Sequence, residues 1–126
     1  MFQKPDYVMI TVSDMDRSIA FYRDLLGFAL RFASPGWTEF ETGATTLALH
    51  GGGRPAAAPA IAGTEQPLAG TCSIGFNVPD VDATHAALVE RGVRFVMPPM
   101  ARQDEGIRLA VALDPDGLPI AFAQSL

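Results

Sequence analysis

The sequence predicts an α+β fold built from two βαβββ modules, on three observations. The first is internal repetition. Val12, Asp14, Asp16 and Ser18 return as Val78, Asp80, Asp82 and Thr84 at an offset of 66, and the helical runs that follow end at Gly27 and Gly92, an offset of 65. The second is the stretch 51–70, GGGRPAAAPAIAGTEQPLAG, in which fourteen of twenty residues are Gly, Pro or Ala. It carries neither a strand nor a helix period and reads as a linker. The third is punctuation: 12 Gly and 10 Pro interrupt the chain too often for long helices and suit short strands. The repeat fixes the organisation as one domain over 1–126. Its first module covers about 1–50, its linker about 51–70 and its second module about 71–126.

The elements follow in order. A first strand is expected over 8–12, and Ser13 or Asp14 then caps a helix, with Asp16 in the first turn where the helix dipole favours an acid. Met15, Ile19, Tyr22, Leu25 and Leu26 make its apolar face, and Gly27 ends it. Strands are expected over about 28–33, 37–42 and 45–50. The second module repeats the plan: a strand over 73–78, a helix capped by Asp80 with Asp82 in its first turn, a stop at Gly92, and strands over about 93–97, 107–113 and 118–124.

Hairpin register assigns the faces. A two-residue turn at Gly43-Ala44 sets Trp37 opposite His50, Glu39 opposite Ala48 and Phe40 opposite Leu47. Phe40, Leu47 and Leu49 then share a core face, and Trp37, Glu39, Glu41, Thr46, Ala48 and His50 share the other. In the second hairpin a turn at Asp114-Pro115-Asp116-Gly117 puts Leu109, Val111, Leu113, Leu118, Ile120 and Phe122 on the core face. Arg108, Ala110, Ala112, Pro119, Ala121 and Ala123 fall opposite. A face of alanines with sparse polar groups suits a cavity wall or a packed interface more than a solvated surface.

Composition excludes several classes. A net charge of −5 offers no basic face for phosphates, so nucleic acid is not an expected partner. The single cysteine, Cys72, excludes an internal disulfide and a cysteine zinc cluster, and it reads as a small buried hydrophobe. Apolar runs are too short to span a bilayer and the N-terminus lacks an apolar signal region, so no membrane partner and a cytoplasmic location are expected. No nucleophile elbow, phosphate loop or dinucleotide fingerprint is present, and Gly51-Gly52-Gly53 precedes Arg54-Pro55 and reads as a hinge.

The duplicated βαβββ layout, the run VSDMDRSIAFYRDLLGF (12–28) and the run DPDGLPIAF (114–122) resemble the vicinal-oxygen-chelate superfamily, the group of glyoxalase I, extradiol dioxygenases and bleomycin-resistance proteins. The resemblance implies curved mixed sheets around a cavity, commonly in a homodimer. It also implies metal-ligand positions, which fall here on Tyr7, Ala48, Ser73 and Ala121. None of these is a usual ligand for a divalent ion. The resemblance therefore points to the metal-free, drug-sequestering members, with no metal and no cofactor.

On this reading Tyr7, Met9 and Trp37 supply contact area, and Ala110, Ala112, Ala121 and Ala123 supply room. Glu39, Glu41, His50, Asn77 and Arg108 orient a small-molecule ligand. Glu39 and Glu41, two apart on one strand, would raise each other's pKa or attract a cation. Each residue has a plainer alternative: a solvated sheet edge for the glutamates, a strand end for His50, a salt bridge for Arg108 and ordinary packing for Trp37. Two rival functions stay open. One is a lyase, isomerase or dioxygenase-related enzyme with displaced catalytic residues such as Glu39 and His50. The other is an interaction module whose alanine face is buried in a partner.

Overall fold

The computed structural model describes residues 1–55, 69 and 72–126. Most of the expected linker, 56–68 with 70 and 71, lies outside the described residues. The chain divides into two compact units, Met1–Ala56 and Ala57–Leu126. Among the described residues no helix is long and apolar enough to cross a membrane.

In the first unit β1 (Tyr7–Thr11) leads into α1 (Met15–Ile19) and a π-helical continuation (Ala20–Leu25), followed by β2 (Ala29–Ala33), β3 (Trp37–Glu41) and β4 (Thr46–His50). In the second, β5 (Ile74–Asn77), α2 (Val81–Glu90), β6 (Arg94–Arg102), β7 (Ile107–Leu113) and β8 (Pro119–Ser125) repeat the plan. Each unit holds one four-stranded mixed sheet, ordered β1-β4-β3-β2 and β5-β8-β7-β6, with a parallel β1–β4 or β5–β8 pair and antiparallel hairpins beyond it. The expected α+β fold of two similar βαβββ modules is the fold observed.

Both helices begin as the acids dictate. Asp14 Oδ1 accepts from the Arg17 amide at 3.1 Å, and Asp80 Oδ1 from the Ala83 amide at 3.0 Å, each satisfying a donor of the first turn. The helices then diverge. The Leu26 amide reaches back to Phe21 O, five residues away, and the Phe28 amide to Tyr22 O, both at 3.0 Å. A π turn holds one residue more than an α turn. That extra residue is why the repeat offset falls from 66 at the helix starts to 65 at the closing glycines. The buried stripe is Ser18, Phe21 and Tyr22, and the expected Met15, Ile19, Leu25 and Leu26 are only half-buried.

The core of each unit lies between helix and sheet. In the first, Tyr22, Phe28 and Phe40 form an aromatic cluster with centroids 6.0–6.5 Å apart, over Ile10, Leu47 and Leu49. In the second, Phe122 packs on Phe76 and Phe95, with Val81 and Leu88 of α2 buried. His85 is half-buried, edge-on to Phe95 at 4.6 Å.

The β3–β4 register is as expected, with Trp37 paired to His50, Thr38 to Leu49, Glu39 to Ala48 and Phe40 to Leu47. The β7–β8 register is not. Leu113 pairs with Pro119, Ala112 with Ile120 and Ala110 with Phe122, so the faces of β7 are exchanged relative to the expectation. The cause is one extra residue in the loop. Asp114 Oδ1 accepts from the amides of Asp116 and Leu118, the Gly117 amide closes on Asp114 O, and Gly117 takes φ +89°. Leu118 thereby belongs to the loop, and a one-residue slip inverts a strand's faces. Ala110 and Ala112 lie on the helix side, fully buried with Ile120 and Phe122. Leu109, Val111 and Leu113 join Ala121 and Ala123 on the face away from the helix.

Two smaller expectations are also corrected. Cys72 is exposed, because it lies before β5 begins. The Gly51–Gly53 run is pinned and does not form an open hinge: the Gly51 amide donates to Gly36 O and the Gly53 amide to Val12 O, each at 3.0 Å.

Candidate functional site

The face of the first sheet away from α1 gathers most of the residues proposed from sequence. Register sets Tyr7 beside Thr46, Met9 beside Ala48 beside Glu39, and Thr11 beside His50 beside Trp37. The rings of Tyr7 and Trp37 meet edge-on at 5.7 Å and 80°, spanning the row that contains Ala48. Ala48 is fully buried, while Tyr7 and Met9 are 53% and 45% exposed, so aromatic and thioether surface stands free above a small floor. His50 lies edge-on to Trp37 at 6.4 Å, and its Nδ1 is 2.7 Å from Gly51 O. A carbonyl can only accept, so Nδ1 carries a proton.

Strand β2 adds two residues that the sequence reading missed. Its register with β3 slips between Leu30 and Phe32: Leu30 pairs with Phe40, but Phe32 pairs with Glu39. Arg31 is the extra residue of this bulge, and Arg31 and Phe32 both serve the site face. The Arg31 guanidinium donates through Nε and Nη2 to Glu39 Oε1 at 3.1 and 2.8 Å, through Nη1 to Glu41 Oε2 at 3.0 Å, and through Nη2 to Thr46 Oγ1 at 2.6 Å. The other oxygen of Glu39 accepts from the Trp37 indole Nε1 at 2.8 Å. Phe32 is 53% exposed beside them. A sequence signal for Arg31 existed: it is the only cation between Arg23 and Arg54, next to a strand with two glutamates.

These bonds reverse the electrostatics expected of the acidic pair. The Trp37 indole N–H and then the Arg31 guanidinium hold the Glu39 carboxyl below its ordinary value of 4.5. A carboxylate with a depressed pKa keeps its contacts above the unfolded value and loses them as pH falls through the folded one. The Glu39-dependent part of the near-UV circular dichroism of Trp37, the only tryptophan, taken as the difference between the parent and Glu39→Gln, should therefore persist from neutral pH down to about 4.5 and collapse only below it. A difference signal already lost near pH 6 would contradict the bonded Glu39.

The remaining proposed residues lie in the second unit. Asn77 pairs with Ala123 and is exposed on the face away from α2, which also carries Met97, Met100, Leu109, Val111 and Leu113. Arg108 is on the opposite face. It pairs in register with Gln124 and grips Asp82 of α2 through Nε and Nη2 at 2.8 and 2.9 Å, while Gln124 Oε1 accepts from the Val81 amide at 2.8 Å. Arg108 therefore ties α2 to its sheet and does not share a face with Asn77; the exchanged faces of β7 are the reason.

The four positions that the resemblance assigns to metal ligands are equivalent in the two units. Met9 pairs with Ala48 and Gly75 with Ala121, and Tyr7 and Ser73 each stand two residues earlier. Alanine has no donor at all, and neutral tyrosine and serine are poor substitutes for imidazole or carboxylate, so this set does not fit a divalent ion. Among the described residues no three His, Cys, Asp or Glu side chains converge elsewhere.

Comparison with known proteins agrees with this architecture. The chain is 29% identical over 120 residues to the uncharacterized protein YraH of Bacillus subtilis (strain 168), covering 86% of this chain and 88% of YraH. Among solved structures it is similar to SMU.1112c, at 25% identity and a TM-score of 0.80 over 98% of this chain and 99% of the other. It is similar also to TnmS3, an antibiotic binding protein from Streptomyces sp. CB03234, at 26% identity and a TM-score of 0.76 over 99% and 98% of the two chains. The model of the Glyoxalase/Bleomycin resistance protein/Dioxygenase superfamily matches residues 4–122, and the chain belongs to that superfamily.

Proposed function

We propose that this protein is a metal-free, small-molecule-binding member of its superfamily that sequesters a planar aromatic compound of antibiotic type and does not transform it. The observation that carries the reading is the Tyr7–Trp37 pair standing over Ala48, where the resemblance would put a metal ligand. Aromatic rings offer large contact area at low entropic cost, and Tyr7 and Met9 stand exposed beside the half-buried indole, ready to meet a flat ligand. The likeness to TnmS3 supports the same reading. Arg31 bonds both Glu39 and Glu41, so the two carboxylates share one cation and the face keeps only a weak net negative charge; a neutral or weakly cationic ligand suits it better than a strong cation. Metal-free acid–base work by Glu39, one form of the enzyme alternative, is disfavoured, because both oxygens of that carboxylate are already engaged by donors.

The test is direct titration with N-phenyl-1-naphthylamine, a neutral aromatic fluorophore, and with a panel of planar antibiotics. Quenching of Trp37 with sensitised probe emission supports the reading; no quenching and no melting shift across the panel overturns it. The proposal includes a cytoplasmic homodimer, since a small strand-rich chain gains cover for its sheet faces from a second copy. One preparation purified without chelator tests two parts of it. Light scattering should give twice 13.4 kDa, and elemental analysis should find well under one divalent ion per chain after dialysis. A retained equivalent of Zn, Ni, Mn or Fe would return the enzyme alternative to first place.

A further inference from the structure

We propose that Arg31 and Glu39 are positioning residues for Trp37: the guanidinium holds the carboxylate, the carboxylate holds the indole, and the readiness of the aromatic wall depends on an edge-strand residue that no ligand needs to touch. The proposal rests on the ligand-binding reading for its functional consequence, but its structural part stands alone.

The geometry supports a relay. The two oxygens of Glu39 are divided, Oε2 to the indole N–H and Oε1 to Arg31, so the two bonds do not compete. Trp37 is half-buried, and its ring contacts with Tyr7 and His50 are both edge-on, at 80° and 86°. Edge contacts constrain a ring's rotation loosely, whereas an N–H bond to a fixed oxygen defines it. Glu39 is fixed in turn because the Arg31 fork reaches Glu39 and Glu41 of β3 and Thr46 of β4 together. The bulge makes this possible: it releases Arg31 from one-to-one pairing while Phe32 takes the place beside Glu39. A lysine at 31 would keep the charge without the planar fork. The indole N–H is spent on Glu39, so Trp37 offers a ligand ring surface and not a donor.

The test uses the full-length protein without ligand first. Time-resolved anisotropy excited at the red edge, where only tryptophan absorbs, reads Trp37 order in Arg31→Met, Arg31→Lys and Glu39→Leu, and the tryptophan fine structure of the near-UV circular dichroism supports it. The expected result is a larger fast-depolarisation amplitude and a weaker near-UV signal in Arg31→Met and Glu39→Leu, an intermediate Arg31→Lys, and melting temperatures near that of the parent. N-phenyl-1-naphthylamine affinity should fall in parallel by about two- to tenfold, the cost of ordering one side chain on binding. Unchanged Trp37 order in Arg31→Met overturns the relay. Lost probe affinity with unchanged Trp37 order also overturns it, because Arg31 would then touch the ligand itself. Looser Trp37 in a protein whose parent form binds no probe upholds the relay and sinks the ligand-binding reading instead.

Discussion

Gly51→Ala should destabilise the first module by about 2–4 kcal/mol and lower its melting temperature by roughly 10 °C or more. A Cβ at Gly51 lands on the Pro35 carbonyl oxygen, with the Pro35 carbonyl carbon at 3.4 Å and Gly36 Cα at 3.5 Å. All three atoms are backbone, so no side chain can swing aside. The clash also sits on the Gly51 amide bond to Gly36 O, which ties the end of β4 to the β2–β3 turn. Gly53→Ala meets a similar obstacle in Thr11 Cγ2 at 2.7 Å and Val12 O at 3.0 Å. Gly36→Ala is the control: nothing lies within 4 Å of its Cβ, and it should fall within about 1 kcal/mol of the parent. Thermal unfolding followed by Trp37 fluorescence reads this module alone. A Gly51→Ala protein that melts with the Gly36→Ala control would mean that the 51–53 segment opens freely.

Trp37→Ala should raise the dissociation constant for N-phenyl-1-naphthylamine about 10- to 100-fold, read from the probe's own emission, equivalent to about 1–3 kcal/mol. The indole is half-buried, with Tyr7, Glu39 and His50 as its partners on one exposed face. Its removal takes away a wall while the Tyr22–Phe28–Phe40 core on the other side of the sheet is untouched. The variant should stay folded. If it unfolds, Trp37 is structural; if it binds the probe as the parent does, the ligand sits elsewhere.

Much of this site is legible in the sequence. A two-residue turn at Gly43-Ala44 leaves one register for its hairpin, and from that register alone Trp37, Glu39, Glu41, Ala48 and His50 share a face. The parallel strand added Tyr7 and Met9 to it. The charge of Arg31 between Arg23 and Arg54 was a signal, but its face was not legible, because it reaches the glutamates through a bulge, and a bulge leaves no mark in the alternation of a five-residue strand such as ALRFA. Its omission had a chemical consequence: an acidic pair read as mutually repelling is a compensated network with Glu39 held below its ordinary pKa.

The sequence by itself determined the two modules, their helix caps at Asp14 and Asp80, and the contents of the first hairpin's faces. These are local matters: a capping acid acts within one turn, and a tight turn fixes the parity of the strands it joins. Tertiary structure decided the rest, and in each case through a single residue. One extra residue makes the π turn after Ile19, one makes the bulge at Arg31, and one in the Asp114–Leu118 loop exchanges the faces of β7. That last exchange buries Ala110 and Ala112 under the helix and turns Arg108 toward Asp82. Strand faces alternate with period two, so a one-residue difference inverts everything beyond it, and only packing against the helix selects which parity is stable.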